Sequence, residues 1–158
     1  MKTFTFKHRW LAIISILILS GCSKDNSLFP STENKLEGQW KYEKVRYCKD
    51  WAISGENLTE QYENLIIEFN SDNSLKQVDR ISGLEKTGIW SLEEDTYYRY
   101  QAEGSQAQYR ERLNASLIHP VTDELELLNW KNLMVTKRKI TCIEEKDGGT
   151  YTYKLIKL

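Results

Sequence analysis

A chain of 158 residues with 22 Lys+Arg against 23 Asp+Glu holds one domain's worth of sequence. At 40% hydrophobic and 28% charged it is too apolar for a disordered tail and too charged for a membrane bundle. A pI near 6.2 argues against nucleic acid as a partner.

The chain opens with an export signal over residues 1–21. Met1 to Arg9 carries Lys2, Lys7 and Arg9 with no acid, and Trp10 to Leu19 is apolar apart from Ser15. Ten helical residues reach only ~15 Å, half of a ~30 Å hydrocarbon core, so the stretch is read and removed and does not span the bilayer. Leu19-Ser20-Gly21-Cys22 resembles the bacterial lipobox. That resemblance implies diacylglycerylation of Cys22 and cleavage on its N-terminal side, with two or more acyl chains holding the protein stably at a membrane. Removal of residues 1–21 takes three of the 22 basic residues and none of the 23 acids, leaving a net charge of about −4. Ser23-Lys24-Asp25-Asn26 partly resembles the signal that sends Bacteroidetes lipoproteins to the cell surface. The expected address is the outer membrane, with periplasmic and surface-facing orientations both open.

Residues 22–35 read as a tether, rich in Ser, Asn, Lys, Asp and Thr with only Leu28 and Phe29 as apolar interruptions beyond Cys22. Residues 36–158 read as one β domain. Leu36, Gly38, Trp40 and Tyr42 alternate with Glu37, Gln39, Lys41 and Glu43, which puts them on one face of a strand. The phase then slips to Val45 and Tyr47, as a β-bulge near Glu43-Lys44 produces.

Asn57 to Asn64 has helical character, with Asn57 as its cap and a role as lid or connector. Leu65 to Phe69 and Leu75 to Ile81 flank Asn70-Ser71-Asp72-Asn73-Ser74, which predicts a hairpin. Further strands are expected at Lys86 to Leu92, Thr96 to Ala102, Gln108 to Ile118, Glu124 to Leu128, Leu133 to Ile143 and Thr150 to Leu158, with Asp147-Gly148-Gly149 supplying positive φ at the last turn. Short strands without intervening helices predict an all-β fold, an antiparallel barrel or sandwich. Closure is favoured because it leaves no open edge, so the expected fold is an up-and-down barrel of about eight or nine strands.

Gly38-Gln39-Trp40 resembles the Gly-x-Trp motif of lipocalins, whose tryptophan plugs the closed end of the barrel, and Gly88-Ile89-Trp90 is a second copy. The pair, with the Phe69-Asn70-Ser71-Asp72 turn between them, is similar to the lipocalin-like domains of Bacteroidetes lipoproteins. In lipocalins an Arg near the last strand stacks on the motif tryptophan. Here the final strand offers Lys154 and Lys157, and Arg138 lies one strand earlier.

Trp40, Tyr42, Phe69 and Trp90 are the barrel-plug or ligand-lining candidates. An eight-stranded barrel is just wide enough to be filled by its side chains or to admit one small ligand. Tyr97, Tyr98 and Tyr100 crowd one strand and place aromatics on both faces of the sheet. Two function classes follow: a carrier or sensor of a small apolar ligand, requiring a cavity of ~300 Å³ or more lined by aromatics, and an interaction module that docks an envelope protein and has a filled interior.

Cys48 and Cys142 remain after Cys22 is acylated, and an exported pair is expected to form a disulfide, with two buried thiols as the alternative. The mature chain keeps one histidine, His119 before Pro120, read as a turn residue. With no His/Cys ligand spacing and one histidine, no catalytic residue, metal site or cofactor is expected. The acid clusters Glu93-Glu94-Asp95, Asp123-Glu124-Glu126 and Glu144-Glu145-Asp147 read as solvated turn charge, and Lys137-Arg138-Lys139 as a partner contact or solvated edge.

Overall fold

A computed structural model describes residues 31–101 and 104–158, with side chains described outside 95–109. The expected signal peptide, Cys22, most of the tether and the side chains of Tyr97, Tyr98 and Tyr100 lie outside the described residues.

The elements are α1 (Thr32–Leu36), β1 (Gly38–Lys49), β2 (Glu56–Asn57), α2 (Thr59–Tyr62), β3 (Leu65–Phe69), β4 (Ser74–Asp79), β5 (Glu85–Gln101), β6 (Gly104–Ile118), β7 (Leu125–Val135), β8 (Lys139–Lys146) and β9 (Gly149–Lys157). Eight strands pair antiparallel with their chain neighbours, and β1 closes on β9. The short β2 is an extra strand on β1. The result is a closed up-and-down barrel, lipocalin-like in form. Alternation does the work: Trp40, Tyr42 and Val45 on β1, Ile140 and Cys142 on β8, and Tyr153 and Leu155 on β9 point inward and are buried.

The expected bulge is present: Tyr42 pairs with Leu155 and Lys44 with Lys154, leaving Glu43 out of the ladder. The 70–74 hairpin also forms, with Asp72 Oδ1 accepting from Ser74 N at 2.9 Å and Asn73 at φ 65°. Asp147 and Gly148 supply positive φ at the last turn, at 56° and 68°.

Several boundaries differ from the sequence reading. Thr32–Leu36, expected to belong partly to the tether, is helical: Ser31 Oγ caps Asn34 N at 3.3 Å and Leu36 is fully buried. The expected helix at 57–64 shrinks to α2, because Asn57 joins β2; its Oδ1 still accepts from Thr59 N at 3.3 Å. The two strands expected at 86–92 and 96–102 are one strand, β5. Glu93-Glu94-Asp95 therefore sits inside a ladder, opposite Arg112, Glu111 and Arg110, and forms no turn. Conversely, Leu133 to Ile143 is broken at Thr136, whose Oγ1 accepts from Lys139 N at 3.0 Å; the basic run lies in and beside that turn. Asn132 at φ 52° carries β7 through its register shift against β8, so β7 continues past Leu128.

β5 and β6 are longer than the barrel is tall. β4 leaves β5 at the Ser74–Ile89 pair and β7 meets β6 from Glu111 onward. Between those points and Gln101–Gly104, the two strands form a ribbon paired, among the described residues, with each other.

The two Gly-x-Trp glycines have different jobs. Gly38 sits at φ +107°, a conformation that favours glycine. Gly88 is fixed by space, since a Cβ there would come 1.6 Å from the Ser116 carbonyl oxygen of the neighbouring strand.

Candidate functional site in the barrel mouth

The barrel interior has a packed half and an open half. At the packed end Trp40 is fully buried, and its Nε1 donates to the Leu36 carbonyl at 2.6 Å, tying α1 across the barrel end. The cation over its ring is Lys157, with Nζ 5.2 Å from the centroid. Of the basic residues weighed for that place, Lys157 on the last strand takes it; Arg138 lies in the β7–β8 turn, its carbonyl accepting from Lys157 N. Trp90 Nε1 donates to Asn70 O at 3.3 Å, so the second motif tryptophan pins the 70–74 hairpin. Phe69 packs edge-on against Trp90 and Trp130, at 5.6 and 6.2 Å. Trp40, Phe69 and Trp90 thus fill the barrel.

Tyr42 alone of the four candidates lines the open half. Here a cavity of about 370 Å³ is lined by residues that include Tyr42, Tyr62, Gln77, Lys86, Lys146 and Tyr153, with Trp130 and Leu128 also in its wall. Tyr42, Tyr62 and Tyr153 form a triangle with ring separations of 5.2, 5.9 and 6.1 Å. α2 delivers Gln61 and Tyr62 to this mouth and is fastened to β1 just beyond the bulge, where Val45 N donates to Thr59 Oγ1 at 3.0 Å.

The polar part of the wall is organised in pairs. Lys86 and Glu126 meet at 2.7 Å. Behind Tyr153, the Glu144 carboxylate is buried and accepts from the Tyr153 hydroxyl at 2.9 Å, Asn129 N at 3.0 Å and Lys146 Nζ at 3.0 Å. Burial opposes the charge on Lys146, but the Glu144 hydrogen bond and charge outweigh it and hold the ammonium above its ordinary value. Burial pushes the Tyr42 and Tyr153 phenols well up, so both stay neutral donors. The cavity therefore offers tilted and edge-on rings, amide groups, two paired lysines and the Asp79 carboxylate, which accepts from Ile81 N and the Ser82 hydroxyl.

Two expectations about charge and sulfur are corrected here. Glu144, read as turn charge, points into the barrel because it continues the inward row of Ile140 and Cys142. The expected Cys48–Cys142 disulfide is not formed, and both thiols are free. Cys48 pairs with Thr150 and Cys142 with Tyr153. Their partners are an odd number of residues apart on one strand, so the two sulfurs lie on opposite faces of the sheet. His119 is a turn residue, with Nδ1 accepting from Val121 N and Thr122 N at 3.3 and 3.2 Å. Among the described residues no group of three or more His, Cys, Asp and Glu is placed to hold a metal ion, and no helix is long and apolar enough to cross a membrane.

Sequence reading missed Trp130, Tyr153, Glu144 and Lys146. Tyr153 and Trp130 were legible in period-two alternation, Trp130 only if the strand was carried past Leu128. Glu144 was not, because an acid at the end of a strand looks the same whether it faces water or the interior.

Comparison with known proteins finds no matching family model, curated protein or solved structure.

Proposed function

We propose that this chain is a lipid-anchored envelope protein whose barrel binds, without turning over, one small amphipathic molecule in its mouth. The observation that carries this is the tyrosine-lined cavity of about 370 Å³ above a solidly packed floor, within the range that holds small ligands. The wall refines the ligand expected from sequence. Its lysines are already paired, with Glu126 and Glu144, and its remaining carboxylate, Asp79, already accepts from Ile81 N and the Ser82 hydroxyl, so a free charge on the ligand gains little. A neutral molecule with one flat apolar face and a few hydroxyl or carbonyl groups meets both the rings and the amides. Anchoring rests on the Leu19-Ser20-Gly21-Cys22 sequence and on the stable membrane hold of two acyl chains.

Native mass spectrometry of freshly purified protein, with titration of the neutral fluorophore N-phenyl-1-naphthylamine, tests the binding. Saturable fluorescence enhancement that is lost when Gln77→Trp fills the cavity supports it. Equal response from the filled variant, or none from either protein, overturns it. Palmitate labelling that is absent from a Cys22→Ala chain supports the anchor, and labelling of neither chain overturns it.

A second reading, an envelope-protein docking module, is favoured by one feature. Ile89, Ile118, Leu125 and Leu127 are exposed on neighbouring strands, where Ile118 pairs with Leu125 and Ser116 lies between Ile89 and Leu127. Co-purification of a stoichiometric partner, lost in Leu127→Lys with the fluorophore still bound, supports docking in addition to carriage.

A further inference from the structure

The bulge in β1 has a consequence on the outside of the barrel. Lys41 pairs with Ile156 and Tyr42 with Leu155. An unbroken ladder would next set Glu43 against Lys154, a complementary pair. The bulge removes Glu43 from the ladder and sets Lys44 opposite Lys154 instead. Directly opposed like charges destabilise a sheet. Glu43 turns away to Lys139, at 4.0 Å.

Arg46 follows two residues on from Lys44, on the same outer face, opposite Thr152. Lys44, Arg46, Thr152 and Lys154 line a groove of about 360 Å³, walled on its far side by Ile53 and Gly55 and containing Cys48. No carboxylate lines it, and among the described residues none of the three cations makes an ion pair. Three unneutralised cations are thus gathered in one concavity of a chain with a formal net charge of −1.

We propose that this groove binds a dianionic oxoanion group, a phosphate or sulfate monoester. A guanidinium offers a fork of donors to two oxygens, and two ammonium groups offer point charges. A monoanion would leave part of that charge unanswered. The groove has room for an esterified group beside the anion, and Ile53 gives that group an apolar wall. The site is separate from the mouth, and its residues face the other side of the sheet.

The test uses the mature protein with inorganic phosphate and glycerol 3-phosphate, followed by calorimetry and by thermal unfolding at an ionic strength held constant with chloride. A parallel arm reads the Tm of the anchored protein in phosphatidylcholine vesicles with and without phosphatidic acid. Saturable binding is expected, with a rise in Tm that chloride does not reproduce. Arg46→Gln and the Lys44→Gln/Lys154→Gln pair should each weaken it about tenfold or more. Lys44→Arg should retain it, and Lys86→Gln in the mouth should leave it unchanged. Without any anion, Lys44→Gln should raise Tm, because it relieves the opposed charges. A response to soluble phosphates alone identifies a free ligand, and a rise in Tm with phosphatidic acid alone, lost in the glutamine variants, identifies a lipid headgroup; either supports the site. Equal affinity in the glutamine variants, or no response in either arm, overturns it.

Discussion

The Tyr153 hydroxyl donates to the Glu144 carboxylate at 2.9 Å inside the barrel, and the same carboxylate holds Asn129 N and Lys146. Its second oxygen thereby satisfies a backbone donor near the β7 register shift. Removing the carboxylate leaves a buried hydroxyl, a part-buried N–H and a half-buried ammonium without their acceptor. Glu144→Ala is expected to lower stability by about 3 kcal/mol, with Glu144→Gln losing less. Urea unfolding followed by tryptophan fluorescence measures this, and a loss under about 1 kcal/mol would contradict the arrangement.

Trp40 and Trp130 are both fully buried, yet among the described residues only Trp40 finds a partner for its indole N–H. Trp40 donates to Leu36 O and carries Lys157 over its ring, whereas Trp130 Nε1 has no hydrogen-bond acceptor among the described residues. The same Trp→Phe change deletes a similar volume at both sites. Trp40→Phe should therefore cost about 1–3 kcal/mol more than Trp130→Phe. Equal costs in paired denaturation curves would show that the Leu36 bond adds nothing.

Gly88 and Gly83 separate crowding from backbone strain. Alanine at Gly88 drives a Cβ into the Ser116 carbonyl, while alanine at Gly83 meets nothing within 4 Å and suffers only its φ of +70°. Gly83→Ala is expected to cost about 1 kcal/mol. Gly88→Ala should cost more than ~4 kcal/mol or prevent folding, because backbone has to move. Circular dichroism melts decide it, and a Gly88→Ala Tm close to that of the parent is the contrary result.

Stability should fall at both ends of the pH scale. Burial raises the Tyr42 phenol, and the charges of Cys142, Tyr62, Glu126 and Glu144 add to that. A raised folded-state value means stability is complete below the unfolded tyrosine value of ~10 and is lost as pH rises beyond it. Tyr42→Phe should flatten that alkaline slope. Asp72 and Asp79 are lowered, chiefly by the Ser74 and Ser82 side chains, with backbone N–H groups adding. Their contribution is present above the unfolded value of ~3.9 and is lost as pH falls further. Asp79→Asn should flatten the acid limb, and an unchanged limb would assign acid unfolding elsewhere.

The thiols provide a direct chemical check. Denatured mature protein should titrate Cys48 and Cys142 without reductant, because neither is bonded. In the native protein Cys48 should react first. Burial, with the Glu144 charge adding, pushes the Cys142 thiol up and removes it from solvent. Appearance of thiol only after reduction would establish the bond.

Alternation along the chain was enough to determine an all-β domain and to locate the bulge near Glu43-Lys44, and turn chemistry placed the Asn70–Ser74 hairpin; both act over a few residues. Closure was expected over a sandwich because it leaves no open edge, and the tryptophan plug followed from the resemblance of Gly38-Gln39-Trp40 to the lipocalin motif. What the tertiary structure decided depends on distant strands meeting. Two expected strands joined into β5 because β6 pairs along its whole length, which makes the Glu93–Asp95 charges ladder residues. Glu144 became an internal acceptor because β7 and β9 present Asn129 N and the Tyr153 hydroxyl to it. The cysteines stayed apart because the register put them on opposite faces, a parity fixed only when β9 chooses its partners on both sides. The gathering of Lys44, Arg46 and Lys154 likewise exists only where β1 closes on β9. Local pattern sets which way a side chain faces, and closure sets what it then faces.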